Sequence, residues 1–282
     1  GTRLAMVRRG EVDIATSMRD VFYEDVKKDS KLKLLHPQSS THWLVAMGGQ
    51  WDPKSPWSDA RARKAASLAI DRAGISKNIA FNSFEPWGSF LAPYHPGYDP
   101  SRKPDPYDPQ RAKKLLAEAG YPNGFKTTWT CGSGDKWWME PIAVQLNEVG
   151  IKAEFVVLEH GLWQKKHTLG ELRGMSYGSG PWWAGRVHPA VALESHTKGG
   201  WAPVGRTMPE VVESWEKLNK AVGNEAIARA AKDYENVLFK KMFRVPLWQA
   251  NVPYAVSKKV ESYNPVPGLI FPIRFEYIKL KD

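Results

Sequence analysis

A chain of 282 residues, 42% of them hydrophobic, can bury one large core or two ordinary ones, and none of its apolar runs is long enough to span a bilayer. Forty Lys and Arg against thirty Asp and Glu leave a formal charge of +10, which attracts acidic partners. The basic residues are scattered along helix faces without a nucleic-acid motif, which sets nucleic-acid binding aside, and the single cysteine excludes an internal disulfide.

Taken in order, Leu4 to Ala15 reads as a short helix, a turn at Arg9-Gly10 and a strand over Val12 to Ala15. The amino terminus, Gly1-Thr2-Arg3-Leu4, enters an element already under way, with no methionine and no leader, so a mature or truncated piece is expected. Lys31 to Leu35 and His42 to Met47 read as strands, and Gly48-Gly49 breaks the second.

Ser55 to Arg72 predicts a helix. Ser58 is placed to accept from its free amides, Asp59 in its first turn, Ala62, Ala65, Ala66, Ala69 and Ile70 on one narrow face, and Gly74 at its end. Trp87 to Pro109 is an ordered loop, because its aromatics need burial. Asp108 then caps a helix with Pro109 at its first position and Ala112, Leu115, Leu116 and Ala119 as its buried stripe.

A βαβ pattern follows, with a strand over Phe125 to Thr130, a helix around Pro141 to Val149, and a strand over Ile151 to Leu158 that alternates Ile151, Ala153, Phe155 and Val157. A crossover of this length predicts parallel strands, which puts Cys131-Gly132-Ser133-Gly134 at a carboxyl strand end, where α/β sheets bind ligands. Next come a helix over His160 to Leu169 and a short strand near Arg173 to Tyr177. One later helix carries Val211, Trp215, Leu218 and Val222, and another, capped by Asn224, carries Ile227, Ala231, Tyr234 and Leu238. Val245 to Trp248 and Tyr254 to Val256 read as closing strands.

Three phrases carry a resemblance. Gly10-Glu11-Val12-Asp13-Ile14, the helix from Ser58 ending Ala69-Ile70-Asp71-Arg72, and Asp108-Pro109-Gln110 through Gly120-Tyr121-Pro122-Asn123-Gly124-Phe125 closely resemble the family 5 extracellular solute-binding proteins, the oligopeptide, dipeptide and nickel receptors of ABC importers.

The resemblance implies an α/β fold: a periplasmic-binding-protein-like second lobe, with a mixed sheet and flanking helices, plus parts of the first lobe. Residues 1–41 would end a first-lobe segment, 42–247 form the second lobe and 248–282 return to the first, with the hinge near Thr41 to Leu44 and Leu247 to Gln249. It implies that roughly the first half of a full-length receptor is missing, a periplasmic or lipid-anchored extracellular location, a small-molecule solute and an ABC permease as partners, and no cofactor.

The residues themselves admit other chemistry. Gly132-Ser133-Gly134 lacks the Lys-Ser or Lys-Thr of a phosphate loop. None of the seven His shows metal-site spacing; His36, His95, His160 and His167 read as surface or capping residues, while His42 and His188 are weak candidate ligand contacts. A glycosidase with a Trp-lined cleft is the enzyme alternative, with Glu140, Glu159, Glu171 and Glu194 as its carboxylates and nothing marking two as a facing pair. A basic adaptor for acidic partners is the third reading.

Ser179-Gly180-Pro181-Trp182-Trp183-Ala184-Gly185-Arg186-Val187-His188-Pro189 is the most informative stretch. Peptide receptors of the resembled family carry here an aspartate for the peptide's amino terminus; this chain has Gly185 at about that place and Arg186 beside it. A buried ammonium without a carboxylate costs several kcal/mol. A free-amine peptide is therefore disfavoured, and Arg186 with Trp182 and Trp183 suits a carboxylate, phosphate-bearing or sugar-like ligand. Trp137 and Trp138 follow the glycine turn, and since neighbours at a helix start diverge by about 100°, at most one of each Trp pair faces a cleft.

Overall fold

The computed structural model describes residues 1–16, 18, 22–35, 42–81, 84–179, 188–193, 208–250, 253–264 and 275–281. The chain opens with α1 (Thr2–Arg9), β1 (Ile14–Ala15), α2 (Tyr23–Lys28), β2 (Leu32–Leu35) and β3 (His42–Gly48). Next come α3 (Ala60–Leu68), α4 (Arg72–Ile79), β4 (Phe84–Pro86), α5 (Pro109–Glu118), β5 (Phe125–Gly132), α6 (Lys136–Glu148) and β6 (Ile151–Leu158). It continues through α7 (His160–Leu169), β7 (Gly174–Ser179), α8 (Pro189–Leu193), α9 (Pro209–Lys220) and α10 (Asn224–Lys240). β8 (Arg244–Ala250), β9 (Tyr254–Ser257), β10 (Val260–Ser262) and β11 (Lys279–Leu280) close it.

Six strands form a mixed sheet in the order β4-β8-β3-β7-β5-β6. β5 runs parallel to β6 and β7, and the remaining neighbours are antiparallel. Helices cover both faces. One face packs Val45, Met47, Trp129 and Met175 against α3, α5 and α6; the other packs Leu44, together with Phe243 just before β8, against α8, α9 and α10. A smaller sheet, β1-β9-β2, places Ala15, Leu32 and Ala255 against α1 and α2 and turns Tyr254 and Val256 toward Val260 and Tyr263.

The segment from Ser55 to Arg72 differs from its expected single helix. Ser58 does not cap it: Ser55 Oγ accepts from Trp57 N across a short 3-10 turn, and Asp59 Oδ1 accepts from Arg61 N to start α3. The helix then breaks at Ala69–Asp71. Asp71 Oδ1 accepts from Gly74 N to start α4, so Gly74 sits in a first turn rather than at an end. A side-chain acceptor three residues past the end of α3 competes with the helical bond and wins. The Ala face holds: Ala62, Ala65, Ala66 and Ala69 are wholly buried, and α3 packs on α5.

Two arginines of this segment are buried among carbonyls. Arg63 donates to Met242 O at 3.0 Å and to Lys241 O at 2.6 Å, satisfying the carboxyl end of α10, and also to the carbonyls of Trp57 and Ser58. Arg72 donates to Pro246 O in β8 at 2.8 Å, to Ser67 Oγ at 2.9 Å, and to the carbonyls of Ser67, Ile70 and Asp105. Burial lowers both guanidinium pKa values to about 10, which leaves them charged at neutral pH.

Other expectations need smaller corrections. Gly223, with a left-handed φ, precedes α10 where Asn224 was expected to cap it, and Val222 is 87% exposed beyond the end of α9. Val157, near the carboxyl end of the edge strand β6, is exposed although it shares the face of Ile151 and Phe155. The Trp87 to Pro109 loop is ordered, with Trp87 stacked on Tyr98 at 5.5 Å and Phe90 and Leu91 fully buried. Asp108 caps α5 through Arg111 N.

Candidate functional site

The topology brings six strand termini to one end of the large sheet. His42 opens β3 opposite Gln249, near the end of β8; Phe84 opens β4 opposite Ala250; and Ser179 ends β7 opposite Trp43. β5 and β6 run parallel to β7, so they end there too, at Gly132 and Leu158.

An aromatic layer lies at this end. Trp43 meets Trp138 edge-on at 4.7 Å, stacks on Tyr177 at 6.0 Å, and reaches Phe84 at 6.4 Å. Tyr177 stacks on Trp163 at 4.5 Å with ring planes 5° apart, and Trp163 stacks on His160 at 5.8 Å. A register shift between Trp43 and Leu44 leaves Leu247 as an extra residue of β8, which returns Trp248 to the face of its partner Trp43, where it meets Phe84 at 5.5 Å and Trp138 at 6.2 Å. Offset and edge-on ring pairs of this kind each contribute about 0.5–1.5 kcal/mol beyond the area they bury.

Polar groups converge where β5 ends. Tyr177 OH donates to Asp135 Oδ2, and a side chain on Gly132 would lie 3.3 Å from that carboxylate and 3.5 Å from His160 Nδ1. Glycine at 132 leaves that space open. Burial, and then the hydrogen bond to Asp135, push the Tyr177 phenol well above its usual range, so it remains a donor.

The sequence-predicted residues divide. Trp138 is 1% exposed and belongs to the core, whereas Trp137 is 39% exposed and meets Phe84 at 6.1 Å on the rim of the layer. Pro141 lacks an N–H, so the Trp137 carbonyl has no helical donor four residues on. His42 is buried at the start of β3. His188 is half-buried and its Nδ1 accepts from Ala190 N, closing the turn that starts α8. Trp182, Trp183 and Arg186 lie outside the described residues, in the segment that follows β7.

Sequence reading missed Trp43, Phe84, Asp135, Trp163 and Tyr177. Alternation along β3 could have flagged Trp43, and Asp135 directly follows the glycine turn it inspected.

Among the described residues, the carboxylates of the glycosidase alternative have local partners. Glu140 pairs with Lys136 one helical turn away, Glu159 caps α7 through Gly161 N and Leu162 N, and Glu171 pairs with Lys166; Glu194 lies outside the described residues. No group of three His, Cys, Asp or Glu is arranged to hold a metal ion among the described residues. His95 and His167 are buried rather than on the surface; His95 Nδ1 accepts from Ala92 N, and burial lowers their pKa values to about 4 and about 3. His36 lies outside the described residues.

The sequence model of the middle region of the bacterial extracellular solute-binding proteins, family 5, matches residues 1–200. The glutathione-binding protein GsiB of Escherichia coli K12 is 32% identical over 163 residues, 57% of this chain and 31% of that protein. Helicobacter pylori DppA, solved with the peptide STSA, superposes with a TM-score of 0.81 at 23% identity, covering 100% of this chain and 55% of that one. AgaA of A. tumefaciens R10, solved with agropinic acid, gives 0.79 at 19% identity over 100% of this chain and 58% of that one. The chain thus spans about a third of the curated relative and little more than half of the solved ones. No helix among the described residues is long and apolar enough to cross a membrane.

Proposed function

The chain belongs to the bacterial extracellular solute-binding proteins of family 5, and from that premise we propose that the protein captures a solute for an ABC importer by closing two lobes over it, without chemistry. The observation that carries this reading is the aromatic layer at one end of the mixed sheet. Its exposed rim residue, Trp137, stands at the end from which the segment carrying Trp182, Trp183 and Arg186 departs. The protein would act in the periplasm or on the outer cell surface and hand the solute to a membrane permease.

Pairing of His42 with Gln249 and Trp43 with Trp248 supports a hinge there, since strands that cross between lobes side by side can bend together. The solute class follows from Gly185 and Arg186. Without the family's aspartate, a carboxylate-bearing or sugar-like solute is favoured over a free-amine peptide. AgaA, holding agropinic acid on the same fold, is consistent with an anionic solute; DppA, holding a peptide, represents the disfavoured class.

A thermal-shift screen of the complete protein with free peptides, opine-like conjugates and oligosaccharides tests this, because a ligand that binds only the native state raises its melting temperature. Anionic conjugates or sugars are expected to raise it, with the shift lost in Arg186→Ala or Trp183→Ala. A shift with ordinary peptides alone would refute the assignment of solute class.

A further inference from the structure

The two edges of the large sheet are built differently. β4 is three residues long and ends in Pro86, which cannot donate to a neighbouring strand; short length and proline are how natural sheets block an edge. β6, at the other edge, runs eight residues, Ile151-Lys152-Ala153-Glu154-Phe155-Val156-Val157-Leu158, with neither glycine nor proline. It pairs with β5 without a bulge along its whole length, and among the described residues no strand pairs with its outer side.

Val156 and Val157 are 39% and 46% exposed, so this edge presents apolar side chains beside a backbone that no described strand pairs on its outer side. Beside the strand, a groove of about 480 Å³ lies between α6, with Val144 60% exposed, and the Lys152–Phe155 stretch of β6, whose two charged residues are part of its lining.

The charges on this edge identify an occupant. Lys152 and Glu154 are both exposed and lie two residues apart, on the same face of the strand. If two copies of β6 pair antiparallel about a two-fold axis at Ala153, residues 151–155 of the two strands pair, and Lys152 of each copy stands directly opposite Glu154 of the other. Such cross-strand pairs attract, and like charges in the same places repel.

The same axis puts both copies of α6 on one face of the joined sheet, where they close the groove. Because β4 blocks the far edge, the assembly stops at two copies and does not grow into a fibre. We propose that β6 is a homodimerisation edge, through which two copies join their large sheets in the register Lys152 opposite Glu154. This inference is independent of the solute site at the strand ends.

Sedimentation velocity on the full chain from low micromolar to about 0.1 mM reads the association directly. Wild type is expected to dimerise in that range. Glu154→Lys or Lys152→Glu alone, each creating two like-charge pairs, should weaken the dimer roughly tenfold or more. The exchange Lys152→Glu with Glu154→Lys should restore it. Both positions are exposed, and unchanged circular dichroism melts would confirm that the variants fold. A wild type that stays monomeric, single reversals that leave the dimer intact, or an exchange that fails to rescue would each overturn the proposal. Dimers insensitive to these charges would place the interface elsewhere or assign the edge to another polypeptide.

Discussion

Arg72 shows what one residue can hold together. Its guanidinium ties the ends of α3 and α4 to β8 through five hydrogen bonds, and none of its acceptors is a carboxylate. Arg72→Ala strands those carbonyls in the interior and should cost about 2–4 kcal/mol, read as a lower urea midpoint with an unchanged slope. His95 makes a prediction about pH. Its pKa is about 4 in the fold against 6.5 for an unperturbed imidazole, so the unfolded chain takes up the proton first as pH falls. Stability from His95 is therefore present above pH 6.5 and lost progressively down to about 4, on the order of 3 kcal/mol in all. His95→Gln should flatten the acid limb of the stability profile between those values; an unchanged limb would show that His95 is not its source.

At the scale of elements, α3 and α5 approach closely because α3 offers only methyl groups. Ala66→Leu should cost about 1–3 kcal/mol by overpacking, seen as a lower Tm, while the exposed Lys113→Ala on α5 should leave Tm nearly unchanged. The bounds of β6 and the start of α5 were legible from local signals. The β6 strand begins and ends where alternation and flanking glycine placed it, and Asp108-Pro109 marks the start of α5. The break at Ala69–Asp71 was not legible, since Asp71 caps α4 through a bond that only the folded turn creates, and the same local sequence also satisfies one continuous helix. The phrases that carry the family resemblance turn out to be architectural. Asp59, Arg63, Asp71 and Arg72 hold helix ends and strand carbonyls, which explains why they identify the fold and do not report on the solute.

For the whole molecule, the candidate site emerges from topology. Trp43, Phe84, Trp138, Trp163 and Tyr177 come from five different elements, and no spacing in sequence relates them; only the order β4-β8-β3-β7-β5 puts them at one end. Composition announced an excess of tryptophan but could not sort it. Among the described tryptophans only Trp51 and Trp137 are exposed, and Trp51 already carries the Arg173 guanidinium at 5.2 Å. Trp137 is left as the open stacking surface at the strand ends.

Titration calorimetry of the complete protein with the solute found by thermal shift, comparing wild type with Trp137→Ala and Trp51→Ala, tests the central claim most directly. A site at the aromatic end predicts roughly tenfold weaker binding for Trp137→Ala, the worth of one well-used stacking contact, with Trp51→Ala unchanged. Equal Kd values for wild type and Trp137→Ala, or a loss confined to Trp51→Ala, would contradict it and place the solute away from these strand ends.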